Sequence, residues 1–302
     1  METETKEELV KENLEKNDTE NIEKKETEDK TSQHKKEKKR IRIFGISLWR
    51  ILAYFILYSV LGFFVETIYG AVTKGLVESR QSFLYGPFCS IYGLGACVMI
   101  ISLQKFKKSH NRLFIGGFVV GAITEYVVSF LGEMIFHVKW WDYSNRPFNI
   151  NGRICVAFSV FWGILAMYLL GSLNPKIDKL LDWIKKKVKN EKILKATIII
   201  VFFAMFVDFI VSGIAIKCFE IRKIHDNNIN VENIEMINEQ YNKVYGNEKI
   251  SKFIYKYWND DKMILTFPNL KIKDKEGNMI YFDSLCPGCK RYYLKIYEKY
   301  NK

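Results

Sequence analysis

Residues 112–153 read RLFIGGFVVGAITEYVVSFLGEMIFHVKWWDYSNRPFNINGR, a long apolar run followed by a polar loop with aromatic residues. Its first roughly 25 residues are apolar and long enough to cross a lipid bilayer. Gly117 and Gly121 form a Gly-x-x-x-Gly pair, which lets two helices approach closely. Glu125 and Glu133 interrupt the apolar run, and a Trp-Trp pair with a polar loop follows it. The stretch therefore predicts a membrane helix that carries carboxylates and ends in an aromatic-anchored loop.

The middle of the chain contains four further apolar windows of similar length. The mean hydropathy of the whole chain is nevertheless close to zero, because highly charged ends offset the apolar middle. We predict an all-α polytopic membrane protein, since no soluble core needs so many apolar windows. The five predicted transmembrane helices cover about 47–72, 84–103, 113–138, 154–173 and 196–219.

The two ends of the chain differ from this membrane domain, which we place at 43–220. Residues 1–42 consist mainly of Glu and Lys. Such a segment cannot bury enough apolar surface to offset its chain entropy, so we predict a disordered, charged cytoplasmic tail. Residues 221–302 are polar and rich in aromatic residues, and we predict a small α+β appendage there.

The appendage has its own local signals. We predict helices over 230–245 and 250–258, and a hairpin that pairs 263–272 with 279–285 across a turn-forming segment. Cys286 and Cys289 form a C-x-x-C pair. Two cysteines are too few for a structural zinc site, which usually has four ligands. An oxidised pair or two inert thiols is the expected state.

Orientation follows from the lysines and arginines beside each span. Their excess alternates between successive loops, which predicts an N-terminus inside and a C-terminal appendage outside the cytoplasmic membrane. The lysine-rich segment 175–195 then faces inside. It also carries an apolar helical stripe, and its five members are Ile177, Leu180, Leu181, Ile184 and Val188. This segment is either an interfacial helix on anionic lipid or a docking helix for a cytoplasmic partner.

Charge and motifs narrow the function classes. The formal net charge is +12, but the lysines flank apolar windows, so anionic lipid is a better partner than nucleic acid. The chain has no G-x-x-x-x-G-K-[ST] motif, and we therefore expect no ATP hydrolysis by a P-loop in this chain. Glu133-x-x-x-His137 lacks a third ligand nearby, so we predict no metal and no cofactor. No supported catalytic constellation appears, and we do not predict an enzyme.

Four carboxylates lie within the apolar windows, and they are Glu66, Glu125, Glu133 and Asp208. An isolated ionised carboxylate at the bilayer centre costs roughly 2.5 kcal/mol or more, so each must be protonated, paired or in contact with water. Two interpretations remain open for each residue. It is a functional group on a substrate or proton path, or a protonated carboxyl that donates a hydrogen bond to a neighbouring helix.

Depth and helical spacing suggest how these residues are grouped. We predict a polar cluster at the outer mouth, with Glu125 and Asp208 deeper on the same path. The members of this mouth cluster are Glu66, Arg80, Glu133, His137, Arg146 and Arg153. The loop that follows the Trp-Trp pair is rich in turn formers and is the best candidate for a lid or recognition surface. The candidate binding residues are Glu66, Arg80, Glu125, Glu133, His137, Asp142, Arg146, Asn149, Asn151, Arg153 and Asp208.

Four passages carry a family resemblance. They are Tyr58-Ser59-x-x-Gly62-x-x-x-Glu66, Phe83-Leu84-Tyr85-Gly86-Pro87-Phe88-Cys89-x-Ile91-Tyr92-Gly93, the segment 117–133, and WWDYSNRPFNINGRIC at 140–155. Over about 50–220 the chain resembles the bacterial putative ABC-transporter type IV, or permease-like, membrane proteins. Phe63 stands where the family more often has Trp, and Ser90 where it often has Pro.

The resemblance implies a multi-pass cytoplasmic-membrane protein of a bacterium that acts as a permease component. Such a component needs a separate ATPase, and segment 175–195 is its expected docking element. Five spans are few for a translocation path, so we expect a homodimer or a larger assembly. Two other functions compete with this one. They are an envelope interaction or assembly protein without transport, and an intramembrane enzyme on lipid or cell-wall precursors with Glu125 or Glu133 as acid or base.

Overall fold

The computed structural model describes residues 42–136, 141–188 and 190–297. The predicted disordered tail, apart from Arg42, lies outside these ranges, and so does His137. The chain divides into two compact units, 1–48 and 49–302. In the described part of the first unit, β1 (Arg42–Ile43) pairs antiparallel with β2 (Ile46–Ser47).

Six helices make up the described part of the membrane domain. They are α1 (Leu48–Lys74), α2 (Ser90–Leu103), α3 (His110–Phe136), α4 (Val156–Tyr168), α5 (Asn174–Lys187) and α6 (Glu191–Asp226). A 3₁₀ turn, Gln104–Phe106, follows α2, and a π-helical segment, Leu169–Leu173, joins α4 to α5. The predicted all-α architecture is confirmed.

Four helices in the described chain are long and apolar enough to cross a membrane: Leu48–Lys74, His110–Met134, Val156–Lys187 and Glu191–Asp226. The remaining predicted span is the shorter apolar helix α2, which has 14 residues. At 1.5 Å per residue it is about 21 Å long, which is less than the roughly 30 Å of a hydrocarbon core.

The helix α2 begins at Ser90, whereas the sequence predicted a span from residue 84. The intervening residues form a loop that is held by α6. The backbone N–H of Leu84 donates to Ser212 Oγ at 2.6 Å, and that of Tyr85 donates to Asp208 Oδ2 at 3.2 Å. Pro87 therefore lies in this loop rather than in the first turn of a helix.

The fourth span was predicted to end at residue 173, but the helix continues through Asn174 and Pro175 to Lys187. A proline inside an α-helix lacks the N–H donor and clashes with the carbonyl four residues earlier. Here the π segment lies immediately before it, and the N–H of Asn174 donates to Leu169 O, five residues back. The wider π turn accommodates Pro175 without breaking the helix.

The appendage packs around the last turns of α6. Helices α7 (Ile234–Tyr245) and α8 (Glu248–Tyr257) and the hairpin of β6 (Lys271–Lys273) with β7 (Met279–Tyr281) confirm the predicted α+β character. The core includes Phe219, Ile224, Met263 and Phe282, all buried.

One appendage segment differs from its prediction. Met263 was predicted to begin a strand but lies in the helix α9 (Asp260–Thr266). The side chain of Asn259 caps this helix by accepting from the N–H of Lys262 at 2.9 Å. Asp260 and Asp261 add negative charge to the first turn, where the helix dipole favours it.

Two further strand pairs and a cross-link position the loops. Strand β3 (Leu76–Val77), after α1, pairs with β8 (Leu294–Lys295) near the end of the described chain. Strand β4 (Asn149–Ile150) pairs with β5 (Ile154–Cys155). Cys286 and Cys289 form a disulfide. The loop after α1 and the end of the appendage are thus joined by backbone hydrogen bonds.

Candidate functional site

The glycine pair of the organising stretch packs α3 directly against α4. A Cβ added at Gly117 would lie 2.3 Å from the Cβ of Ala166, and one added at Gly121 would lie 2.4 Å from the Cβ of Trp162. Side chains at these two positions would force the helices apart. The close contact carries Trp162 to the face of α3 that also bears Glu125.

Glu125 is the most buried of the predicted carboxylates, with 6% of its surface exposed. It accepts a hydrogen bond from Tyr143 Oη at 2.9 Å and another from Trp162 Nε1 at 3.2 Å. Both donors are neutral, and Glu125 has no ion-pair partner among the described residues. A carboxyl group is therefore held inside the helices by hydrogen bonds alone.

Glu66 has a similar environment on α1. Tyr92 Oη donates to Glu66 Oε1 at 2.6 Å. Gly62, one turn earlier, leaves room for the Tyr92 side chain, because an added Cβ would lie 2.4 Å from the Tyr92 Cβ. The ring centroids of Tyr92 and Trp162 are 6.4 Å apart. We call Glu66, Tyr92, Trp162, Glu125 and Tyr143 the carboxylate–aromatic network.

The loop after α3 closes this network by folding back along the helix. Tyr143 lies on this loop and stacks on Phe158 of α4 with ring centroids 4.6 Å apart. Burial, followed by the negative charge of Glu125, raises the pKa of Tyr143 above its ordinary value of 10.0. Tyr143 is therefore a hydrogen-bond donor to Glu125 at neutral pH rather than a phenolate.

A second contact of the same loop lies about two helical turns further along α3. Arg153 Nη1 is 2.5 Å from Glu133 Oε2 and 3.4 Å from Ser129 Oγ. Its guanidinium also lies over the rings of Tyr126 and Phe130, at 5.9 and 5.5 Å from their centroids. The loop is thus joined to α3 by the hydrogen bond of Tyr143 to Glu125 and by the contacts of Arg153 with Glu133 and Ser129. A further hydrogen bond runs from Asn151 to Tyr126.

The loop residues predicted to bind serve mainly to shape the loop. Asp142 Oδ1 accepts from the N–H and the hydroxyl of Ser144, at 3.0 and 2.6 Å. Asn149 Oδ1 accepts from the N–H of Gly152 at 3.0 Å. Asn151 has a φ of 54° and donates to Tyr126 Oη at 2.9 Å.

Three other predicted residues lie apart from the network. Arg80 is paired with Glu78 at 3.2 Å instead of with a carboxylate of the apolar helices. The side chain of Arg146 is exposed. Asp208 accepts from the N–H of Tyr85 and from Ser212 Oγ, at 3.2 and 3.3 Å, and so holds the loop before α2. The structure thus separates the predicted mouth cluster into smaller groups.

Sequence reasoning missed the neutral partners of the carboxylates. Tyr92, Tyr143 and Trp162 are aromatic residues in or beside apolar segments, where most such residues only fill space. The one usable signal was the pairing of small residues with them. Gly62 lies opposite Tyr92, and Gly121 lies opposite Trp162.

The loop contact at Glu133 can be measured by a double-mutant cycle. Arg153→Gln and Glu133→Gln should each destabilise the fold, and the double variant should lose less than the sum of the two. Because Glu133 is 32% exposed, we expect a coupling energy of only about 0.5–1 kcal/mol. Thermal unfolding in detergent micelles measures it, and additive single effects would show that the pair contributes no coupling.

Comparison with known proteins gives one match. The model of a family described as "Putative ABC-transporter type IV" matches residues 53–213, which are 161 of the 302 residues. The matched region runs from α1 into α6 and includes every residue of the carboxylate–aromatic network. No curated protein and no solved structure matches the chain.

Proposed function

Because the chain belongs to the putative ABC-transporter type IV family, we propose that it is the membrane-spanning permease subunit of a transport system whose ATPase is a separate protein. The observation that carries this proposal is the carboxylate–aromatic network. It places two carboxyl groups, Glu66 and Glu125, among apolar helices without a positively charged partner in the described chain. Polar groups at such positions are costly and line the paths of solutes in many membrane proteins.

The loop that carries Tyr143 and Arg153 acts as the closure of this path. Its attachments to α3 are weak enough to break, since two are single hydrogen bonds, from Tyr143 to Glu125 and from Asn151 to Tyr126, and one is the partly exposed ion pair of Arg153 with Glu133. Release of Tyr143 would leave Glu125 with Trp162 as its single remaining partner in the described chain. A solute could then replace the lost hydrogen bond.

The ATPase would dock on α5, which presents two faces. Its inner face buries Ile177 and Leu181, and Asp178 and Asp182 hold Arg50 of α1. Its outer face exposes Leu180 and Trp183, at 41% and 56%, among lysines. Because Arg50 links the two helices, movement of α5 would also move α1, which carries Glu66.

Three further expectations belong to the same proposal. The resemblance to a bacterial family supports a bacterial cytoplasmic membrane, and the lysine distribution supports an N-terminus inside and an appendage outside. The lysines beside α5 support contact with anionic lipid. Because each chain has few spans, we expect a homodimer in which the second copy completes the path.

Copurification tests the ATPase partner. Affinity purification of the tagged full chain from its native membranes should yield an ATPase with a P-loop. Trp183→Glu should reduce its yield at least about tenfold, since burying a charge at a contact costs more than 1.4 kcal/mol. Met236→Glu, at an appendage position that is 49% exposed, is the matched control. If no ATPase copurifies with the wild-type chain, the protein is not a permease of this kind. A role in envelope assembly then becomes the better explanation.

Flux tests the path itself. Inside-out vesicles containing the complex are supplied with ATP and a mixture of cell metabolites, and the accumulated compounds are identified by mass spectrometry. Wild type should accumulate a small set of compounds, and Glu125→Gln should reduce that accumulation at least about tenfold while folding normally. Glu239→Gln, an exposed carboxylate in the appendage, should transport as wild type does. Equal accumulation by Glu125→Gln and wild type would remove the network from the path.

A further inference from the structure

A second group of charges lies outside the carboxylate–aromatic network, where the loop after α1 meets the end of the appendage. At its centre is Glu78, whose side chain is 0% exposed. Three cations surround it within ion-pair distance: Lys74 Nζ at 3.2 Å, Arg80 Nη2 at 3.2 Å and Arg291 Nη2 at 3.0 Å. Arg291 also binds Asp283 at 2.5 Å. We call these five residues the Glu78 cluster.

The Glu78 cluster carries more positive than negative charge. Its three cations face two carboxylates, which leaves one positive charge in excess. The carboxylate of Glu78 is fully enclosed, whereas the side chains of Arg80, Arg291 and Lys74 are 17%, 31% and 42% exposed. The excess charge therefore lies on the side that a solute can reach.

The two arginines also have donors to spare. A guanidinium carries five N–H donors, and the buried Nε of both Arg80 and Arg291 has no hydrogen-bond acceptor among the described residues. The buried Nε of Arg153 and that of Arg222 also lack an acceptor among the described residues, so an unpaired Nε alone does not mark an ion site. The partly exposed guanidinium groups of Arg80 and Arg291 are the donors offered to an anion. Because Nε makes no hydrogen bond in either arginine, each guanidinium can turn toward an anion without breaking a hydrogen bond at Nε.

The position of the cluster restricts the source of an anion. Lys74 is the last residue of α1, a helix long enough to cross a bilayer. The Glu78 cluster therefore lies at the level where lipid headgroups meet water. Gly70, one turn earlier, has no side chain, and Arg80 lies against it, because an added Cβ would be 2.8 Å from Arg80 Nη2.

We propose that Arg80, Arg291 and Lys74 form a binding site for a phosphate monoanion, either the phosphodiester of a lipid headgroup or free phosphate. One such charge neutralises the excess in the Glu78 cluster. Planar guanidinium groups suit phosphate because two parallel N–H groups can bind two of its oxygens. The proposal does not depend on the transport path, since no hydrogen bond or ion pair among the described residues joins the Glu78 cluster to the carboxylate–aromatic network.

The experiment measures thermal unfolding of the purified full chain in dodecyl maltoside micelles, with two arms. In the lipid arm, phosphatidylglycerol is titrated against the same mole fraction of uncharged diacylglycerol. In the free-anion arm, sodium phosphate is titrated against sodium chloride at equal ionic strength. If wild type is stabilised in the lipid arm alone, the ligand is a lipid headgroup. If it is stabilised in the free-anion arm alone, the ligand is soluble phosphate. Stabilisation in both arms indicates a site that recognises phosphate from either source.

Variants assign the response to the site. Arg80→Gln and Arg291→Gln should each weaken the apparent binding at least about tenfold, because each removes a charged hydrogen-bond donor. Lys252→Gln removes the same charge from a side chain that is 76% exposed on α8 and should respond as wild type does. The proposal is overturned if wild type responds in neither arm, or if both arginine variants respond as strongly as wild type.

A second measurement covers the case in which the glutamine variants fail to fold. Native mass spectrometry of wild type and Arg80→Lys, each incubated with phosphatidylglycerol and with inorganic phosphate, reports retained ligand directly. Wild type should retain one phosphate-containing ligand. Arg80→Lys keeps the charge but loses the parallel N–H donors of the guanidinium, so a smaller fraction of this variant should retain the ligand. Equal retention by both proteins, or none by wild type, contradicts the site.

Discussion

Gly117→Ala is expected to lower the free energy of unfolding by about 2–3 kcal/mol, although it adds a single methyl group. The added Cβ would lie 2.3 Å from the Cβ of Ala166, 2.9 Å from the carbonyl oxygen of Trp162 and 3.2 Å from the Cα of Gly163. Two of these three atoms belong to the backbone of α4 and cannot move by a change of rotamer. The helices must separate, and Trp162 then moves away from Glu125.

Two companion variants make this prediction specific. Gly171→Ala adds the same methyl group where nothing lies within 4 Å, so we expect no loss of stability and a small gain from better helix propensity. Adding Ala166→Gly to Gly117→Ala removes the shortest contact and should restore part of the loss. Thermal or denaturant unfolding in detergent micelles measures all three. A Gly117→Ala protein as stable as wild type would show that α3 and α4 do not pack as described.

Glu78→Gln is the second large effect, with an expected loss of about 3 kcal/mol at neutral pH. Removing one partner of a buried ion pair leaves the other charges uncompensated, which costs about 3–5 kcal/mol. We expect a loss at the lower end of this range, because the cations Lys74, Arg80 and Arg291 are partly exposed. Glu248→Gln is the matched control. Glu248 also pairs with a lysine four residues away, but its side chain is 80% exposed, so its loss should be about 0.5 kcal/mol or less.

The stability difference between wild type and Glu78→Gln should depend on pH in a definite direction. Burial by itself raises the pKa of Glu78, but the positive charges of Lys74, Arg291 and Arg80 outweigh it and place the pKa below the ordinary value of 4.5. A carboxylate whose pKa is lower in the folded state stabilises that state above about pH 4.5 and loses this contribution as the pH falls through the folded-state pKa. The stability difference between wild type and Glu78→Gln should therefore be largest at neutral pH and narrow below pH 4.5. A difference that stays constant from pH 7 to pH 3 would contradict ionisation of Glu78.

Much of the fold could be predicted from local patterns. Apolar runs of sufficient length located five of the six described membrane-domain helices, because the cost of exposing each side chain to water depends mainly on that side chain. The sixth, α5, was predicted from its helical stripe of apolar residues. Where the predictions differed, the cause was a tertiary contact at one helix and local backbone structure at another. Helix α2 begins at Ser90 because Ser212 and Asp208 of α6 hold the preceding loop. Pro175 does not end its helix because a π segment precedes it.

The candidate site was predicted less completely. Glu66, Glu125 and Glu133 were named from the cost of charge in lipid, and Arg153 was grouped with them by its depth. The structure places Arg153 beside Glu133. The donors to the other two carboxylates were not foreseen. Tyr143 lies 18 residues from Glu125 and Tyr92 lies 26 residues from Glu66. Nothing in the local pattern of an aromatic residue distinguishes a hydrogen-bond donor from a space-filling side chain.

The sequence by itself determined that this protein has helices suited to a membrane, a charged N-terminal segment and an α+β appendage. These properties follow from hydropathy and periodicity, which are summed along neighbouring residues. Only the tertiary structure decided which charges meet. Glu78 and Arg291 are 213 residues apart and form an ion pair because strands β3 and β8 bring their segments together. An ion pair depends on the distance between two groups in space, and sequence separation does not fix that distance.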